Sequence, residues 1–248
     1  ELGETYEELG RTTDAIAFYE GVFNELVNKP RLEASQNERL LNVVARLMRT
    51  YNRQGDKKKA QAAFARVQQL LGDNNPMVSS LLIDSLREEG KYREALDATR
   101  AALARYPNDR SLKLTEALTL GDLRNYEDSL KALRNLVEGQ TDSSVLTILS
   151  SVQLQSGQLK EAEATIRKAL ELDPNDTDLL IQLGSIQDRS GQRSEAEKTL
   201  RSVLQREPDN ATALNNLGYF LAERNARYNE ALPLIEKAVS IEPLNGSF

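Results

Sequence analysis

A spacing of about 34 residues runs through the chain and constrains its fold more than any other feature. A small residue recurs at Ala15, Ala60, Ala95, Ser129, Ala162, Ala196 and Ala231. Four residues after each stands a larger, mostly apolar one: Tyr19, Phe64, Thr99, Leu133, Ile166, Leu200 and Ile235. Three residues further come Val22, Val67, Ala102, Leu136, Ala169, Val203 and Ala238. Pro107, Pro174, Pro208 and Pro243 each lie five residues beyond one of those. Residue classes held in phase across 248 residues imply one small unit used again and again, each copy burying its apolar side on its neighbours.

Each period reads as two helices. Val44, Leu47, Met48 and Tyr51 follow the i, i+3, i+4, i+7 spacing of one apolar helix stripe. A glycine then recurs at Gly10, Gly55, Gly90, Gly157 and Gly191, where a left-handed residue would end the first helix. The second helix carries the small residue, because a close crossing leaves no room for a branched side chain. The proline stops it, since proline has no N–H to continue the ladder. Asp173-Pro174-Asn175-Asp176 and Glu207-Pro208-Asp209-Asn210 combine that stop with capping residues for the next unit.

These residues resemble the tetratricopeptide repeat, a 34-residue helix–turn–helix family. The pattern stands here as Leu214-x-x-Leu217-Gly218-x-x-Leu221, then Ala231-x-x-x-Ile235, then Pro243. Leu180-x-x-Leu183-Gly184 with Ala196, Leu200 and Pro208 matches as well, as does Leu2-Gly3-x-x-Tyr6 with Ala15 and Tyr19. The resemblance implies an all-α, right-handed α-solenoid of about seven repeats in one domain spanning 1–248. Their bounds are about 1–34, 41–75, 76–109, 110–142, 143–176, 177–210 and 211–245, with an insertion at 28–40. Several places depart from the pattern. Repeat four has Glu116-Ala117 in place of Leu-Gly, and Gln153 and Gln187 stand where Tyr6 and Tyr51 stand elsewhere, which should weaken packing. The last repeat has one extra residue within 224–227 and carries Pro233 near the start of its second helix. The opening Glu1-Leu2-Gly3 and the closing Gly246-Ser247-Phe248 are expected to be the cut ends of a longer bacterial repeat protein. Neither end gives a compartment, and cytoplasm and periplasm both fit.

Composition removes most chemistry. There are no cysteines and no histidines, so the commonest general base and the Cys- and His-based metal sites are lost, and no nucleophile has an imidazole to activate it. The expectation is a chain that is not an enzyme and holds no cofactor and no metal. Its 32 basic and 38 acidic residues give a charge of −6, which argues against nucleic acid as a partner. No apolar run is long enough for membrane insertion. Lys57-Lys58-Lys59 is read as a solvated helix start, and Gly90-Lys91 lacks the flanking residues of a phosphate loop.

What remains is protein binding. In a solenoid the first helix of every repeat lines a concave groove. Asn42, Arg46, Arg49 and Arg53 share one face of the second repeat's first helix, and three guanidiniums suit a carboxylate or phosphate. Glu4, Glu7, Glu8, Asp84 and Glu88 lie on the matching faces beside them and offer internal pairing instead. Further along the groove, Leu81, Leu114, Leu118, Ile148 and Ile181 make an apolar wall interleaved with hydroxyls. Asn215 and Asn216 resemble the backbone-holding asparagines of some family members, although the ladder is not continued. The leading expectation is a non-catalytic scaffold that holds a peptide or helix of a partner protein. The alternatives are a regulatory or substrate-recruiting region of a larger enzyme, such as a glycosyltransferase or protease adaptor, and a structural homo-oligomer. The apolar residues Leu232, Ile235, Ala238 and Val239 of the last helix are expected to stay partly uncovered, favouring self-association through the terminal repeats.

Overall fold

The computed structural model describes residues 2–72, 75–137, 142–225, 227–243 and 245; Gly246-Ser247-Phe248 lie outside them. Among the described residues there are fourteen α-helices and no strand. The chain divides into two compact bodies, Glu1–Arg124 and Asn125–Phe248.

The first body holds α1 (Leu2–Glu8), α2 (Thr12–Val27), α3 (Ala34–Arg53), α4 (Lys57–Leu71), α5 (Pro76–Glu88), α6 (Tyr92–Arg105) and α7 (Arg110–Asp122). Each helix packs on the next, and α3 also packs on α5, so first helices touch first helices. The expected stripe is the core: Val44, Leu47, Met48 and Tyr51 are buried among Ala15, Tyr19, Phe23, Ala60 and Val67. The insertion at 28–40 adds helix more than loop. Glu33 and Gln36 form a capping box that starts α3 at Ala34, and Leu40 is fully buried. The turn glycines Gly10, Gly55 and Gly90 have φ of 67°, 79° and 72°, as the spacing predicts. In the fourth repeat Arg124 occupies that place with φ 59°, the one positive φ on a non-glycine among the described residues.

The second body holds α8 (Tyr126–Val137), α9 (Ser143–Gln155), α10 (Leu159–Leu172), α11 (Thr177–Arg189), α12 (Arg193–Arg206), α13 (Ala211–Asn225) and α14 (Tyr228–Ile241). Asp142 and Asp176 cap α9 and α11 by accepting backbone N–H bonds from the first turn. The helices cross closely at the family's glycine: a Cβ on Gly184 would sit 3.0 Å from Leu200 Cγ. α14 runs through Pro233 without a break. Ala238, expected at the uncovered surface, is instead fully buried, because it faces Ala211 and Leu214 of α13. Leu232 and Val239 of the same helix are exposed, at 57% and 42%.

Candidate functional site

The first-helix face of the first body is laced by ion pairs that each join consecutive first helices. Arg46 of α3 pairs with Glu4 and, at 3.1 Å, with Glu7 of α1. Thr50 Oγ1 donates to the other Glu7 oxygen at 3.1 Å and fixes that carboxylate. Arg49 Nε donates to Glu88 Oε1 of α5 at 2.7 Å. Arg87 of α5 then donates twice to Asp122 Oδ2 of α7, at 2.9 and 2.8 Å. Such pairs are half in water, so each is worth under about 1 kcal/mol to folding. Their effect is on which charges stay available. Arg53 is exposed, and neither Arg53 nor Asn42 has a hydrogen-bond or ion-pair partner among the described residues. Asp84 sits between these pairs. Its carboxyl is pushed up mainly by desolvation and further by Glu88, against the pull of Arg87 and Arg49.

The expected alternative pairing is therefore partly realised: Arg46 and Arg49 are matched internally, by Glu7 with Glu4 and by Glu88, while Arg53 is not. The Arg87–Asp122 link was not anticipated. Only half of its signal is in the register: Asp122 lies one repeat after Glu88, whereas Arg87 is in register with Asn52 and not with an arginine of α3.

The apolar wall is thinner than the sequence suggests. Leu81 is 8% exposed and belongs to the core of the first body, and Ile181 is 7% exposed and packs on Val203 and Ala213. Both turn inward because the helices pack on each side of them, so these two are corrected from wall to core. Leu114, Leu118 and Ile148 remain half-buried, with part of each side chain open to solvent. In the second body, Gln182 Nε2 lies within hydrogen-bond reach of Thr147 O, Ser150 Oγ and Ser151 Oγ, at 3.2, 2.6 and 2.8 Å, and shares its two N–H bonds among them, which commits that amide to holding α11 on α9. Asn215 and Asn216 on α13 are half-buried, and their side chains have no partner among the described residues. No cluster of carboxylates suited to a metal ion occurs among the described residues, and no helix there is long and apolar enough to cross a membrane.

Helix pairs of about 34 residues, turned by a left-handed residue and crossing at a glycine, define the helix–turn–helix repeat solenoid. The chain belongs to the tetratricopeptide repeat family, whose models match residues 1–24, 114–177, 153–218 and 210–241. A tetratricopeptide repeat protein from Parabacteroides merdae superposes over 100% of this chain and 93% of its own, with TM-score 0.70 and 15% identity. A thermophilic repeat protein of Thermus thermophilus covers 69% of this chain and 93% of its own, with TM-score 0.59 and 23% identity. MamA from Desulfovibrio magneticus covers 71% and 98%, with TM-score 0.55 and 16% identity. At such identities the likeness is one of fold. No curated relative matches the sequence.

Proposed function

We propose that the chain is a non-catalytic scaffold that holds a peptide or short helix of a partner protein on the first-helix faces of its repeats. The fold is that of a protein-interaction scaffold. The observation that carries the finer reading is the set of polar side chains left without internal partners on those faces: Arg53 and Asn42 in the first body, Asn215 and Asn216 in the second. A folded chain satisfies its buried polar groups first, so groups left open on one helix face are free to take a ligand's backbone or carboxylate. Leu114 and Leu118 offer apolar contact to a ligand on the first body, and Ile148 to a ligand on the second. The absence of histidine and cysteine from the sequence supports the non-catalytic part.

The test is an array of immobilised peptides probed at low salt with the wild-type chain and with Arg49→Ala/Arg53→Ala. The acidic peptides captured by the wild type should be lost to the double variant. Capture of the same peptides by both would refute the reading. A second reading, self-association, draws on exposed Leu232 and Val239 of α14. It requires an oligomer in sedimentation that Leu232→Glu dissociates.

A further inference from the structure

Arg49 of α3 and Asp84 of α5 stand at equivalent places on adjacent first helices, one repeat apart. A base and an acid so placed invite pairing, yet both guanidiniums near Asp84 are taken by other carboxylates. Arg49 Nε donates to Glu88 Oε1 at 2.7 Å. Arg87, three residues after Asp84 on α5, gives both of its hydrogen bonds to Asp122 Oδ2. Asp84 is left with no hydrogen bond and no ion pair among the described residues, although Arg87 and Arg49 still act on it through space.

These residues enclose a space. Arg49, Asp84, Arg87, Glu88, Tyr92 and Asp122 line an open cavity of about 350 Å³ that lies wholly within the first body. Two guanidiniums and three carboxylates leave one negative charge in excess. The oxygens follow the same count. The internal bonds engage Glu88 Oε1 and Asp122 Oδ2, so Glu88 Oε2, Asp122 Oδ1 and both Asp84 oxygens accept no hydrogen bond among the described residues. The Tyr92 hydroxyl at the start of α6 has no hydrogen-bond partner there either. Spare acceptors around a net negative charge select a cation. No carboxylate cluster among the described residues is suited to a metal ion, which leaves an organic cation. Solvent reaches Asp84, but the surrounding protein already desolvates it and pushes its carboxyl up, a cost that an incoming cation relieves.

We propose that this cavity receives the side chain of one lysine or arginine carried by the partner segment. The cationic head lies against Asp84 and draws on the open oxygens of Glu88 and Asp122, and Tyr92 flanks it. The inference rests on the proposed scaffold function and narrows its ligand. Arg53 offers a place for an acidic side chain and Asp84 one for a basic side chain, so the favoured segment carries both signs. Arg53 is not among the charges that act on Asp84, so the two docking points are separate.

The test is an NMR titration of the full, isotope-labelled chain with Nα-acetyl-lysine amide and Nα-acetyl-arginine amide. Their neutral counterparts, made from norleucine and citrulline, serve as controls. A basic compound should shift the amides of residues 84–92 saturably and bind at least about tenfold tighter than its neutral counterpart. Asp84→Asn should erase that difference, and Asp84→Lys, which brings an ammonium of its own, should abolish binding. The tighter of the two basic compounds identifies the head group. Equal binding of basic and neutral compounds would overturn the proposal, as would an undiminished difference in Asp84→Asn or no binding of either basic compound. A lysine moved stepwise along an acidic peptide captured by the chain should raise its affinity about tenfold at one register, in the wild type but not in Asp84→Asn. Captured peptides with no such register would also overturn it. Failure of the scaffold reading would look different: no acidic peptide captured, with a basic compound still bound at Asp84.

Discussion

Arg49 holds Glu88 at 2.7 Å, while Arg53, one turn further along α3, has no partner among the described residues. One repeat later Asp122, in register with Glu88, is held in turn by Arg87. Of the two arginines on α3, Arg49 and Arg53, one is matched by α5, and one guanidinium is left over on the same helix.

Arg49 and Arg53 lie four residues apart on α3, so Arg53 is placed to take over from a missing Arg49. In Arg49→Ala, Arg53 should move onto Glu88, with stability changed by no more than about 0.5 kcal/mol. Glu88→Gln should free both guanidiniums and raise the affinity for an acidic peptide two- to fivefold at low salt, with the gain lost at high salt. Denaturant midpoints measure the first effect, and titrations of one acidic peptide at two ionic strengths measure the second.

Gly218 permits the closest crossing in the second body. A Cβ there would lie 2.6 Å from Ile235 Cγ1 and 3.1 Å from Ala231 O. The backbone oxygen cannot yield as a side chain can, so Gly218→Ala should destabilise by about 1–3 kcal/mol and Gly218→Val by more. Denaturant midpoints of α13–α14, followed by amide exchange, provide the measure.

Arg124 pays in backbone strain what the other repeats avoid with glycine. At φ 59° it closes the turn after α7 in the left-handed region. Arg124→Gly should therefore raise stability by about 1 kcal/mol, visible as a higher Tm.

Much of this architecture was legible in the sequence because the repeat fixes it locally. The 34-residue phase located the small residues at 0–3% exposure in Ala15, Ala60 and Ala95, and the glycine spacing located five left-handed turns. Arg124 was missed for the same reason, since nothing in an arginine signals positive φ. The site was less legible. Helix spacing placed Leu81 and Ile181 on the outward face, but their burial depends on how neighbouring helices lean, and that is set by packing between repeats. The choice of Arg49 over Arg53 as partner of Glu88 is likewise a matter of reach, not of sequence spacing.

Gln153 and Gln187 stand at equivalent core places and were expected to weaken them alike, yet the structure separates them. Gln187 Oε1 accepts from Thr199 at 2.9 Å, whereas Gln153 Oε1 is buried without a partner. Gln153→Leu should therefore stabilise the chain by about 1–2 kcal/mol, and Gln187→Leu should cost about 1 kcal/mol by orphaning the Thr199 hydroxyl. Equal effects of the two substitutions in urea melts would contradict this.

The last prediction concerns acid. Glu197 and Arg201 of α12 and Arg227 and Glu230 of α14 and its cap form a closed ring of alternating charges that ties the sixth repeat to the seventh. Arg227 reaches both oxygens of Glu197, at 2.9 and 3.0 Å. Hydrogen bonding from Arg201 holds the Glu230 carboxyl below the usual range, although partial burial works against it. For Glu197 burial pushes upward most strongly, and the bonds from Arg201 and Arg227 together outweigh it. Both carboxyls are thus depressed in the folded chain relative to the unfolded one. The unfolded state takes up their protons first, so the ring's contribution is complete above the ordinary carboxylate range and is lost as pH falls below roughly 4. The ring is partly solvated, so the contribution is modest. Glu197→Gln/Glu230→Gln should lower Tm by about 1–3 °C at pH 7. As acid protonates the wild-type carboxyls the arginines become equally unmatched, so the Tm difference should shrink steadily below the ordinary carboxylate range. A Tm difference that persisted undiminished at pH 3 would show that the loss came from packing and not from charge.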